Sequence, residues 1–130
     1  MGSFLSSLVN PDADAAATDA NSAVIAVHSK EAWNDHWIAH KNSNKLLVID
    51  FSATWCGPCR AIEPTFKALS ARFADASFVK INVDELSEVA QRWMVEAMPT
   101  FVFVKEGKEV ARVVGANRDE LEGKVVQLMA

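Results

Sequence analysis

The residues best equipped for chemistry in this chain are Cys56 and Cys59, its only two cysteines, set three apart in Trp55-Cys56-Gly57-Pro58-Cys59. A Cys-x-x-Cys pair closes a small disulfide ring and reopens it, storing two electrons. A sulfur at the first turn of a helix lies near the positive end of the helix dipole and beside unpaired N–H groups. Both favour thiolate over thiol, and the thiolate is the nucleophile. The elements such a placement needs lie on either side: Leu46 to Phe51 is an apolar strand run, and Arg60 onward is helical. Two inert uses compete with redox chemistry. One is a permanent disulfide. The other is zinc, which takes four ligands, and only His36 and His40 could complete the set. Their spacing puts them on the polar side of a helix that also carries Trp33 and Trp37, which predicts solvated rings.

Asp50 interrupts the apolar run Leu46-Leu47-Val48-Ile49-Asp50-Phe51. Desolvation raises the pKa of a carboxylate in a buried strand. Such a group near the cysteines could accept the proton of Cys59, directly or through a water. The opposing reading is a strand-end aspartate turned to solvent. At the other end of the chain, Met1-Gly2-Ser3-Phe4-Leu5-Ser6 fits the N-myristoylation pattern M-G-x-x-x-[ST], with Gly2 as acceptor. A Met-Gly-Ser start also arises by chance or from cloning.

With 130 residues, 50% hydrophobic and 23% charged, the chain has material for one globular domain with a proper core. A net charge of −4 without a Lys/Arg cluster argues against nucleic acid as partner. Two cysteines cannot make the multi-bridge framework of a small secreted protein. No apolar stretch approaches the roughly 18 residues of a membrane helix. Phe4 to Val9 is short, lacks a preceding basic residue and runs into Asn10-Pro11-Asp12, which does not fit a secretory signal. A cytoplasmic location is the expectation.

Residues 1–21 turn polar and Ala/Asp-rich after Pro11, which predicts a mobile N-terminal extension; the domain is expected over 22–130. The patterning gives a strand at Ala23 to Val27, a helix from Lys30 to about Lys41, and a strand from Leu46 to Ala53 covered on both faces. A helix over Arg60 to Phe73 follows, with Pro64 expected to bend it. Next come a strand at Phe78 to Val83 and a helical stripe of Leu86, Val89 and Trp93. Strands at Phe101 to Val104 and Val110 to Val114 flank the turn Lys105-Glu106-Gly107-Lys108, and Leu121 to Met129 forms a last helix. The order β-α-β-α-β-α-β-β-α predicts an α/β fold: a central mixed five-stranded sheet flanked by four helices.

This order, with Asp50-Phe51-Ser52-Ala53-Thr54-Trp55-Cys56-Gly57-Pro58-Cys59, resembles the thioredoxin family. Further likenesses are Lys80-Ile81-Asn82-Val83-Asp84, Met98-Pro99-Thr100-Phe101, Gly107 and Val114-Gly115-Ala116, so the resemblance covers about Ala23 to Met129. Trp93, the segment Val95-Glu96-Ala97-Met98-Pro99 and the Met-Gly start resemble the plant cytosolic h-type, although animal cytosolic members share the active-site string. The resemblance implies a thioredoxin fold in which Cys56 attacks a target disulfide. Cys59, one helical turn on and facing inward, then resolves the mixed disulfide. It also implies that Asp50 is the family's buried aspartate, with Lys80 near it and limiting its cost. Pro99 matches a cis-proline opposite the cysteines, which would leave the Met98 backbone free to pair with an extended substrate strand. Trp55, Gly57, Pro58, Met98, Pro99, Gly115 and Ala116 then form the contact surface. Trp33, Trp37 and Trp93 are expected to pack.

The expected function is protein-disulfide reduction. With no G-x-G-x-x-G for a nicotinamide or flavin and no resident cofactor or metal expected, the electrons must come from a partner. By resemblance that partner is an NADPH-dependent thioredoxin reductase, or glutathione with glutaredoxin. The alternatives are a disulfide isomerase or oxidase-type domain, against which Gly57-Pro58 counts, and a redox-independent binding module. An acylated Gly2 would add weak, reversible association with internal membranes.

Overall fold

The computed structural model describes residues 22–130, in which nine elements follow one another. They are β1 (Val24–Val27), α1 (Lys30–His40), β2 (Leu47–Ser52), α2 (Gly57–Arg72), β3 (Ser77–Asn82), α3 (Ser87–Arg92), β4 (Thr100–Lys105), β5 (Lys108–Val114) and α4 (Arg118–Met129). The strands form one sheet in the order β1-β3-β2-β4-β5. β3 runs parallel to both β1 and β2, whereas β4 is antiparallel to β2 and to β5. This is the expected mixed five-stranded sheet with four helices. The extension expected at 1–21, with Gly2, lies outside the described residues.

β2 is central, and all six of its residues are buried. Side chains alternate across a strand, so Leu47, Ile49 and Phe51 join Trp33 of α1 and Val89 of α3 in one layer. Val48 joins Ile62, Phe66 and Leu69 of α2 and Leu121 and Val125 of α4 in the other. Phe66 packs edge-on to Phe78 and tilted against Phe101 at 5.3 and 5.6 Å between ring centroids. Burying each such ring contributes roughly 1.5–3 kcal/mol relative to leaving it in water. The same alternation puts Asp50 on the α2 side, with Val48.

The helix starts explain where elements depart from their apolar stripes. Ser29 caps α1 by accepting the Ala32 N–H at 3.1 Å, and Asn117 caps α4 by accepting that of Glu120 at 3.0 Å. α2 begins at Gly57 rather than the expected Arg60, because Cys56 caps it and Pro58 occupies the first turn, where no N–H is needed. The helix continues through Pro64. That ring is exposed, as is Arg60, whose carbonyl loses its helical donor there but can turn to water. Fully buried Ser70 accepts the Ala23 N–H at 2.9 Å and donates to the Lys67 carbonyl, tying the start of the domain to α2.

Glu106 and Gly107 form the β4–β5 turn with φ of 52° and 77°, the handedness that matches strand twist in a two-residue hairpin. A Cβ on Gly107 would lie 2.8 Å from the Lys41 carbonyl oxygen, so glycine is needed for space as well as for φ. Trp33, Trp37 and Trp93 pack in a row, stacked at 6.0 Å and then edge-on at 5.5 Å, as expected. The histidines correct the expectation of solvated rings. Both are half-buried, and His40 is bonded through both nitrogens, Nδ1 to the His36 carbonyl (2.9 Å) and Nε2 to the Ser77 hydroxyl (2.7 Å). The helix turns His40 toward the start of β3 rather than into water.

Candidate active site

Cys56 and Cys59 are joined as a disulfide, their Cα atoms 5.3 Å apart, where β2 gives way to α2. The Cys56 N–H donates to the Ala53 carbonyl at 3.2 Å, closing the turn that lifts the chain from the sheet. Arg60 returns its guanidinium to the Thr54 carbonyl at 2.7 Å and steadies the same loop. The Cys59 N–H points at Cys56 Sγ at 3.1 Å, so the sulfur occupies the position that a serine or aspartate oxygen takes in an ordinary N-cap. A charge on that sulfur is met by an oriented N–H and by the helix dipole.

Both cysteines are nearly covered: Cys56 is 5% exposed and Cys59 6%. The two residues hardly differ in overall exposure, and position at the helix start is what separates them. The exposed neighbours are Trp55, at 64%, with Gly57 and Pro58. The Trp55 indole N–H donates to Asp84 Oδ2 at 2.8 Å, which fixes the ring beside the pair.

A second segment closes on the sulfurs from across the sheet. The Met98–Pro99 bond is cis, and the Met98 carbonyl oxygen lies 3.7 Å from Cys56 Sγ. Gly115, at φ 98°, donates its N–H to the Pro99 carbonyl at 2.8 Å, so the loop after β5 is tied to the loop before β4. Ala116 follows on that loop and is exposed. The loops after β2, before β4 and after β5 thus meet around Cys56.

Asp50 lies on the inner side of this arrangement, 2% exposed, with Oδ1 unpaired. Burial pushes its carboxyl up from the usual 3.8 to about 7; the nearby Lys80 charge opposes the rise, and the Glu63 carboxylate adds to it. Asp50 is a buried acid, not a strand-end group in solvent. Lys80 stands opposite it in the β2–β3 register, as the resemblance implies, yet its ammonium is bonded to Glu63 Oε2 at 2.6 Å. A cavity of about 530 Å³ behind the disulfide is lined by Cys59, Glu63, Lys80, Ser52 and Asn82 among others. Among the described residues no group of three or more His, Cys, Asp or Glu could hold a metal ion.

Glu63 and Asp84 were missed as site residues. Glu63 had a signal, since it follows Cys59 by four residues and so shares its helix face. Asp84 ends a segment that carries the family likeness, but its pairing with Trp55 had no signal, because the indole is 29 positions away.

The thioredoxin family model matches residues 24–127. The chain belongs to the thioredoxin family. Thioredoxin H2-2 of Oryza sativa subsp. japonica is 65% identical over 126 residues, covering 96% of this chain and 93% of that one. Thioredoxin H2 of Arabidopsis thaliana is 52% identical over the full length of both. The crystal structure of thioredoxin NaTrxh from Nicotiana alata superposes with a TM-score of 0.80 at 57% identity, covering 82% of this chain and 92% of that one. These relatives make it a plant h-type thioredoxin, a thiol-disulfide oxidoreductase that reduces protein disulfides through its Cys-Gly-Pro-Cys pair.

Proposed function

We propose that the two sulfurs divide the reduction and that Asp50 moves the proton between its halves. In the dithiol state the Cys56 thiolate attacks one sulfur of a target disulfide. A bond forms from Cys56 to that sulfur, and the other target sulfur leaves as a thiolate and takes a proton from water. Cys59 then gives its proton to the Asp50 carboxylate and attacks Cys56 Sγ. The first target sulfur leaves as a thiolate and takes up the proton held by Asp50, so the target has gained two electrons and two protons, and Cys56–Cys59 is left as the disulfide. The observation that carries this reading is the Cys56 sulfur in the N-cap of α2, with the Cys59 N–H directed at it. Trp55, Gly57, Pro58, Met98, Pro99, Gly115 and Ala116 form the target-contact surface, and an extended target strand pairs with the Met98 backbone.

A reductase partner must return the disulfide to the dithiol. An NADPH-dependent thioredoxin reductase is the first choice, glutathione with glutaredoxin the second. Coupled reduction of a protein disulfide should turn over with NADPH and that reductase, and a parallel assay with glutathione ranks the donors. No turnover with either would overturn the reading.

The domain proper is assigned to 22–130, with 1–21 as an N-terminal extension in a cytoplasmic protein. Gly2 is the proposed acceptor of a myristoyl chain. One such chain binds membranes only marginally, and stable anchoring takes a second signal. Residues 1–21 hold no cysteine for palmitoylation, no basic residue precedes Lys30, and Asp12, Asp14 and Asp19 are repelled by anionic lipid. The protein should therefore divide between cytosol and internal membranes and wash off readily. Fractionation of the parent against Gly2→Ala tests this: equal membrane fractions would remove the acyl chain from the account.

A further inference from the structure

We propose that Glu63 is a positioning residue for the buried acid: it holds the Lys80 ammonium on the α2 wall of the cavity behind Cys59, leaving the Asp50 carboxyl without a cation bonded to it. Glu63 and Cys59 both line that cavity, from successive turns of α2. Lys80 enters it from β3, directly opposite Asp50 in the strand register, where a long cationic side chain would ordinarily turn to the buried carboxylate. Instead its ammonium donates to Glu63 Oε2 at 2.6 Å, while Asp50 Oδ1 has no partner. Lys67, one turn further along α2, approaches the same Glu63 oxygen at 3.7 Å, so Glu63 sits between two cations.

Neither the strand on the other side of Asp50 nor the other charged groups lining the cavity take over this role. β4 presents Phe101 opposite Asp50. The loops after β1 and β3 contribute His28 and Glu85, which pair with each other at 2.9 Å. Arg60 of α2 is bonded to the Thr54 carbonyl. Glu63 thus acts on Asp50 twice in the same direction. It diverts Lys80, the cation facing Asp50 among the described residues, and it adds a negative charge that opposes a second one nearby. This rests on the proposed proton transfer only in its kinetic consequence, since an Asp50 carboxylate of higher pKa is, once ionised, the stronger base toward the Cys59 proton.

The test is the titration midpoint of Asp50 in the oxidised protein, followed by the chemical shift of its labelled carboxyl carbon. Glu63→Gln, close in shape and with good helix propensity, should lower the midpoint by about one pH unit, the scale of an opposite charge gained within reach. Lys80→Gln should raise it. In the Lys80→Gln background, Glu63→Gln should have a clearly smaller effect, because only the direct repulsion is left to remove. Glu63→Asp, which keeps the charge but shortens the reach, should lower the midpoint by less, and it replaces the glutamine variant should that fail to fold. An unchanged or higher midpoint in a folded Glu63 variant would overturn the proposal. So would an equal drop with and without Lys80. Because no mixed disulfide exists in the oxidised protein, these results stand or fall independently of whether Asp50 accepts the Cys59 proton.

Discussion

Cys56→Ser is expected to abolish disulfide reduction and to form no adduct with target proteins, whereas Cys59→Ser should attack normally and accumulate mixed disulfides on Cys56. The two cysteines differ in place rather than in overall exposure. Cys56 caps α2, and the N–H of Cys59 faces its sulfur. Serine is among the best N-cap residues, so the Cys56→Ser hydroxyl can keep the start of α2 intact. Loss of activity in that variant then reports chemistry rather than unfolding. In Cys59→Ser the hydroxyl cannot displace a thiolate from the mixed disulfide, and the intermediate persists. Mass spectrometry after exposure to a protein disulfide reads both outcomes. Adducts on Cys59 in the Cys56→Ser protein would reverse the assignment.

Asp50→Asn is expected to stabilise the protein in a pH-dependent way while slowing it. Below about pH 4 the carboxyl is protonated in both folded and unfolded chains and contributes no difference. Between about 4 and 7 the unfolded chain has released the proton and the folded chain has kept it, so stability falls as pH rises; above about 7 the loss is complete. The gap between 3.8 and about 7 corresponds to about 4 kcal/mol. The buried amide has unpaired N–H groups of its own, which cost roughly 1–3 kcal/mol at every pH. The clean measure is therefore the difference between the gain at pH 8 and at pH 3.5 in urea unfolding of the oxidised proteins. An equal effect at both would show that Asp50 titrates normally. Resolution of the mixed disulfide should slow by about 100-fold near neutral pH, at the lower end of general-base contributions. A rate and pH profile identical to the parent would rule out the relay.

The fold was largely legible because its signals are local and periodic. The uninterrupted apolar run at β2 marked the middle of the sheet, and the Lys105-to-Lys108 turn marked the hairpin. The start of α2 was misplaced by three residues because Gly57 and Pro58 carry no helical stripe; only the capping geometry of Cys56 reveals that they are helical. The cysteines and the buried Asp50 could be read from residue type against background. The roles of His40, Glu63 and Asp84 could not, since each is defined by a partner brought close only by folding: Ser77, Lys80 and Trp55. Sequence spacing shows which side chains share an element but not what faces them across a cavity.

Cys56 and Cys59 are nearly covered while Trp55, Gly57 and Pro58 stand clear around them. A bridge held rigidly inside a folded target cannot be brought down to a recessed sulfur; one carried on a frayed end or a transiently opened loop can. Much of the discrimination among clients then resides in the clients. For those whose bridges are held shut, the frequency of local opening sets how fast they are reduced. A well-folded protein is then spared by its own rigidity, and the surface around Cys56 adds its selection among those that open.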